Sequence, residues 1–212
     1  MNISEIVERR GIKEVLHFTT NLGLIGILDS RYLKSRQRLN KDERLEHIFS
    51  PNAAVRDKDA DWLDYVNLSI SRVNRRFFDI SRNSWHKDKP LWWCVLSFEP
   101  IILGHEGVYF ATTNNIYPGV LRGSGPQALE GMFGAKIEWW EGKFITRVSG
   151  LDLALPTYEQ AEVLYPGQVS TDFLRSIYVG SEEHVDEVYG LFAALGHREI
   201  ETTVQKSLFP NN

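Results

Sequence analysis

Apolar and polar positions along this chain change period several times, and each change marks an element. Residues 3–10 space their apolar positions as a helix does, and residues 15–18 form a short apolar strand. Thr20 then stands where an N-cap belongs, ahead of a wide stripe made by Leu22, Leu24, Ile25, Ile27 and Leu28. From 31 to 61, charges, Asn and Pro mix with no sustained period, which predicts a long, partly helical excursion. Strand patterns return at 64–70, 91–98 and 107–111, and the Thr, Asn, Pro and Gly cluster over 112–119 is a turn signal. A Gly-rich connection over 119–134 leads to EWWEGKFITRV, and a Pro156-containing loop over 149–158 precedes the QAEVL strand at 160–164. A strand over 175–180 follows. Ser181 then caps a helix with Glu182 and Glu183 in its first turn and Val185, Val188, Tyr189, Phe192 and Leu195 along one face. Strands grouped together, rather than alternating strictly with helices, predict the α+β class.

The QAEVL strand carries the first chemical signal. Alternation puts Gln160 and Glu162 on one face and Ala161 and Val163 on the other, so one carboxylate sits on an otherwise apolar strand beside a Gln. In a half-buried cleft such a group can stabilise a ribosyl cation and take a proton from the incoming nucleophile. On an edge strand it would be an ordinary solvated Glu. His17 is similarly double-sided. At a strand end beside a helix N-terminus it can meet a phosphate or amide ligand, or it can serve structure by bonding a neighbouring carbonyl.

Composition narrows the class. The chain has 212 residues, 42% hydrophobic, enough for a single domain over 1–212 with a full core. It contains no apolar run near the roughly 18 residues that span a bilayer, and its first ten residues lack a signal-peptide core, so a cytoplasmic protein without membrane partners is expected. Cys94, the single cysteine, lies in an apolar strand and reads as a small packing residue. The six His are dispersed and no Cys/His pairing occurs, so no metal site is expected, and neither a P-loop nor a dinucleotide-binding glycine fingerprint is present. A net charge of -4 argues against nucleic-acid binding through the overall field, yet one segment is locally basic. Arg72, Arg75, Arg76, Arg82, Lys87 and Lys89 face only Asp79 and Asp88 there, interleaved with Phe77, Phe78 and Trp85. Charges and rings in that combination suit single-stranded nucleic acid; alternatively the two Phe enter the core.

Taken together, HFT and the Asn-Leu helix after it, DYVNLSIS over 64–71, and QAEVLYPGQV followed by FLRSIYV resemble the DarT toxins, over about residues 17–188. The resemblance implies an ADP-ribosyltransferase-like fold with a split β-sheet core and flanking helices. It also implies an activity: NAD+-dependent ADP-ribosylation of a base in single-stranded DNA, with NAD+ as co-substrate and no permanently bound cofactor. By the same resemblance Glu162 is catalytic, and His17, Thr19 and Asn21 contact NAD+. The excursion over 31–61 would cover NAD+, with Arg56 as the candidate pyrophosphate partner and catalytic-site cation, and Arg44 and Arg38 as competing choices. DNA contacts are expected from Arg72, Arg75, Arg76 and Gln160, with Tyr158 stacking a base or facing the core. Thymidine-modifying members carry a DYVPFYF-like segment where this chain has DYVNLSI, and an Arg-rich helix where it has HIFSPNAAVRDKD; residues 67–70 point to the guanosine-modifying branch. The expected partner is an antitoxin with ADP-ribosyl-hydrolase activity, in a toxin–antitoxin or phage-defence setting. Transfer to RNA or protein and a catalytically silent NAD-binding domain are the rival readings.

Overall fold

The computed structural model describes residues 1–39, 61–87 and 90–209. Local signals set the N-terminal elements. Helix α1 (Ile3–Arg10) opens on a reciprocal capping box between Asn2 and Glu5 and stops at Gly11, whose φ of 67° lies in the left-handed region that glycine enters without strain. Strand β1 (Val15–Thr20) runs directly into α2 (Asn21–Ser30), where the Thr20 hydroxyl accepts from the Gly23 amide at 3.2 Å, as its position predicts. Next come β2 (Tyr32–Lys34), α3 (Arg36–Leu39), β3 (Tyr65–Ile70) and α4 (Arg75–Ile80), which continues as a π-helical turn over Ser81–Trp85. Beyond it lie β4 (Trp93–Phe98) and β5 (Tyr109–Ala111).

The 119–134 stretch is not the plain connection its glycines suggest. It holds β6 (Arg122–Ser124) and α5 (Gly125–Gly131), and α5 is tied to α1 by ion pairs from Arg9 and Arg10 to Glu130. A hairpin of β7 (Lys136–Trp140) and β8 (Lys143–Thr146) precedes β9 (Glu162–Pro166), and β10 (Gln168–Ser170), β11 (Leu174–Val179), α6 (Glu182–Leu195) and β12 (Glu201–Val204) follow.

Among the described residues eight strands form one sheet in the order β12-β11-β4-β1-β3-β9-β5-β6, antiparallel except for the β11–β12 pair. Its centre is split. All six residues of β1 pair with β4, whereas β1 meets β3 only at Val15 and Leu16 before the two strands part. The expected split-sheet α+β architecture is therefore present, with β1 and β4 on one side of the split and β3 and β9 on the other. Side chains alternate across β1, so Val15 joins a large core with Leu28, Leu96 and Phe98, while Leu16 and Phe18 join a smaller one with Val95, Phe78 and Phe209. Cys94 is fully buried in the first of these, its thiol pKa pushed up by burial, which suits packing rather than reactivity. No described helix is long and apolar enough to cross a membrane.

Candidate active site

Glu162 opens β9, an interior strand bonded to β3 on one side and β5 on the other, so it is not the solvated edge residue that its type alone would suggest. Only 6% of it is exposed, and its Oε2 accepts from the Asn115 amide at 2.7 Å. Gln160, 4% exposed, lies just before the strand and accepts from the Tyr117 hydroxyl at 3.1 Å. Both polar side chains thus meet the same turn between β5 and β6, as alternation predicts, while Ala161 and Val163 enter the apolar core. Directly across the sheet from Glu162 stands Ala111, and across from Ala111 stands Arg122. The Ala leaves room above it. Arg122 reaches the turn, donating from Nε to the Asn115 Oδ1 and from Nη2 to the Asn115 carbonyl, and its guanidinium lies 5.5 Å from the ring centre of Trp62. Burial lowers the Arg122 pKa, and the Glu162 charge opposes that shift.

On the other side of the split lie His17, Thr19 and Asn21. The His17 Nδ1 bonds the Asn67 carbonyl at 3.0 Å across the gap where β1 and β3 diverge. A carbonyl only accepts, so Nδ1 carries the proton and Nε2 remains an acceptor in the neutral ring. Burial depresses the His17 pKa, against the opposing effect of the Asn67 hydrogen bond, and so favours that neutral form. Thr19 is buried against the first turn of α2, where a Cβ on Gly23 would overlap its Oγ1. Asn21 donates its amide to the Trp92 carbonyl, while its Oδ1 is buried with no donor among the described residues.

The basic segment divides. Phe78 is fully buried and contacts Phe18, Trp93 and Phe209, and the half-buried Phe77 packs on Phe18, so both rings turn to the smaller core, the alternative to a stacking platform. Arg75 is spoken for as well, paired with Asp79 at 3.0 Å and donating to the Leu208 carbonyl at 3.0 Å. Arg76 is exposed and joins Glu159 in lining a cleft of about 470 Å³ between α4 and the turn that leads to Gln160. Arg72 follows Ser71, which holds a φ of 56°, and its Nε is buried without a hydrogen-bond partner among the described residues. Tyr158 is 5% exposed, with its ring stacked on Trp139 and its hydroxyl accepting from Gln160 at 3.3 Å. Burial first, and then Tyr117, push its pKa up to about 12, while the nearby Arg76 charge pulls the other way. It faces the core rather than offering itself to a base. Arg38 is paired with Asp64 at 3.0 Å; Arg56, Arg44, Lys89 and the Trp85 side chain lie outside what is described.

Nothing in the linear pattern singled out Asn115, Tyr117 or Arg122, since the 112–119 cluster reads only as a turn. No group of three or more potential metal ligands occurs among the described residues.

The family model described as "ssDNA thymidine ADP-ribosyltransferase, DarT" matches residues 16–209. The chain belongs to the DarT family. Membership makes it an NAD+-dependent ADP-ribosyltransferase of single-stranded DNA, with NAD+ as a consumed substrate. Among solved structures it is similar in fold to Thermus sp. 2.9 DarT in complex with carba-NAD+, at TM-score 0.66 and 13% identity over 93% of this chain and 97% of that one. The same DarT in complex with ADP-ribosylated ssDNA matches at TM-score 0.62 and 13% identity, over 94% and 97%. Thermosipho africanus DarTG in complex with ADP-ribose matches at TM-score 0.60 and 14% identity, over 93% of this chain and 51% of that one. No curated protein sequence matches significantly.

Proposed function

We propose that this DarT-family chain transfers ADP-ribose from NAD+ to guanine bases in single-stranded DNA, with Glu162 as the catalytic carboxylate, and that it acts as a toxin countered by an antitoxin that removes the mark. The observation that carries the reading is the buried carboxylate on an interior strand, one strand away from the split, held by a main-chain amide and facing a polar turn. As the glycosidic bond to nicotinamide lengthens, positive charge develops on the ribose, and a carboxylate fixed in a cleft stabilises it without having to reorganise. The same group takes the proton that the attacking base nitrogen loses.

Across the split, the neutral His17 and the Asn21 Oδ1, which has no donor among the described residues, are two acceptors suited to the donor hydrogens of the nicotinamide carboxamide, with Thr19 beside them. Arg56 is the proposed partner of the pyrophosphate. Arg76, exposed in the cleft beside Glu159, is the strongest DNA contact, and Arg72 the second. Arg75 contributes indirectly by anchoring α4. The guanine preference is supported by residues 67–70, which depart from the thymidine-modifying pattern. The toxin role is supported by the motifs that resemble the DarT toxins.

The test is mass spectrometry of oligonucleotides incubated with the protein and NAD+. A mass increase of one ADP-ribose on a guanine-containing strand, absent from a strand of the other three bases, is expected. An adduct on thymine alone would overturn the guanine assignment, and an adduct only on RNA or protein would overturn the DNA substrate. Glu162→Gln, whose amide keeps the shape and still accepts from Asn115, is expected to lower transfer by at least about 100-fold while NAD+ affinity stays near wild type. Transfer within about tenfold of wild type would remove Glu162 from the catalytic role.

A further inference from the structure

Asn115 is one of the most buried polar residues of the chain, 1% exposed, and three of its four polar groups are bound to the active-site frame. Its amide holds the Glu162 carboxylate at 2.7 Å, and its carbonyl and Oδ1 both accept from Arg122. The fourth group, Nδ2, is buried with no acceptor among the described residues. A flipped amide does not relieve this. Arg122 has only donors, so a rotated Asn115 side chain would set its NH2 against the guanidinium N–H groups and lose the Oδ1 bond. The guanidinium therefore fixes which way the amide faces, and it stands in the same cross-strand row as Glu162, one Ala away. A buried donor that the protein orients but leaves unpaired is costly unless a ligand completes it. The ligand group it awaits is an acceptor that also lies within reach of the carboxylate. A ribose hydroxyl fits both demands at once, because it donates one hydrogen bond and accepts others.

Resting on the transferase reading above, we infer that Asn115 is a second substrate-contacting residue. Its Nδ2 donates to a hydroxyl of the nicotinamide ribose of NAD+, the hydroxyl that donates in turn to Glu162, and Arg122 is a positioning residue that acts through Asn115. The contact polarises the hydroxyl toward the carboxylate and fixes the ribose as charge develops on it.

The inference is tested by measuring kcat/KM for NAD+ during oligonucleotide modification, with NAD+ and with its analogues lacking the 2′ or the 3′ hydroxyl of the nicotinamide ribose. Asn115→Ala leaves the main-chain bond to Glu162 in place and should lower kcat/KM for NAD+ by about tenfold or more. That loss should shrink to about onefold with one of the two deoxy analogues. Asn115→Asp, which keeps the shape and the acceptor for Arg122 but has no donor, should lose at least as much, and it keeps the test open if the Ala variant unfolds. Arg122→Lys should lower kcat/KM alone but add nothing in the Asn115→Ala background, an outcome a purely structural role would not produce. Wild-type kcat/KM in Asn115→Ala and Asn115→Asp, or the same loss with NAD+ and both analogues, would overturn the contact. A wild-type protein that makes no NAD+-dependent adduct would overturn the transferase reading instead, and the contact with it.

Discussion

The chemistry at residue scale depends on which groups the protein leaves charged, neutral or unpaired at the split. His17 is held neutral, because burial disfavours its cation more than the Asn67 carbonyl stabilises the ring N–H. The consequence for stability has a definite sign. Above the unfolded-state pKa of about 6.5 neither state binds the proton, and the group contributes nothing to the pH dependence. Below it the unfolded chain takes up a proton that the folded chain refuses, so stability falls as the pH drops, until the lower folded pKa is reached. Burial depresses His105 and His197 as well, so all three contribute to one downward slope. Replacing His17 by Gln, which can still donate to the Asn67 carbonyl, should flatten that slope below about pH 6.5 without abolishing it. Thermal melts across this range check it; identical slopes would show that His17 titrates alike in the folded and unfolded chains.

For the elements, α4 shows how one short helix separates structural from functional positive charge. Asn74 caps it, Phe78 anchors it in the smaller core, and Arg75 ties it to the chain near Leu208. Arg76, the next residue, points into the cleft beside the turn leading to Gln160. The neighbours should therefore respond differently to charge reversal. Arg76→Glu should weaken oligonucleotide binding and reduce the slope of log K against log salt by roughly 0.7, with a near-wild-type melting temperature. Arg75→Glu should instead cost about 1–2 kcal/mol of stability by losing the Leu208 bond and repelling Asp79, which amounts to several degrees in Tm for a chain of this size. Binding titrations at several salt concentrations, paired with melts, distinguish the two. Equal salt slopes for wild type and Arg76→Glu would take α4 out of the DNA interface.

For the whole molecule, the central fact is that β1 and β3 part after two paired positions, leaving the NAD+-facing candidates His17, Thr19 and Asn21 in one half and Glu162 and Gln160 in the other. A ligand that spans the split joins the two halves and stabilises the fold as a unit. At NAD+ concentrations about 100 times Kd the gain is about 2.7 kcal/mol, or roughly 5–10 °C in Tm for a domain of this length. Scanning calorimetry should show that shift in the wild type, retained in Glu162→Gln and reduced at equal NAD+ in His17→Ala. An NAD+ shift of the same size in His17→Ala would place the ligand away from the β1 half.

Much of this was legible in the linear pattern, because the signals involved are local. Caps join residues three apart, so α2 and α6 begin where Thr20 and Ser181 say they should. Alternation is local as well, and it marked Gln160 and Glu162 as a polar pair on an apolar strand. By itself the sequence determined the α+β class, the positions of six strands, and the placing of one carboxylate on an otherwise apolar strand. Only the tertiary structure decided that β9 is interior, which turned Glu162 from an ordinary exposed carboxylate into a buried one. It alone folded Asn115 and Tyr117 onto Glu162 and Gln160 from 47 and 43 residues away, and it alone spent Phe77, Phe78 and Arg75 on packing while leaving Arg76 in the cleft. The physical reason is range: periodicity and capping register neighbours within a turn or a strand, whereas burial and hydrogen-bond partnership across a sheet depend on strand order, for which no short stretch of chain carries a code.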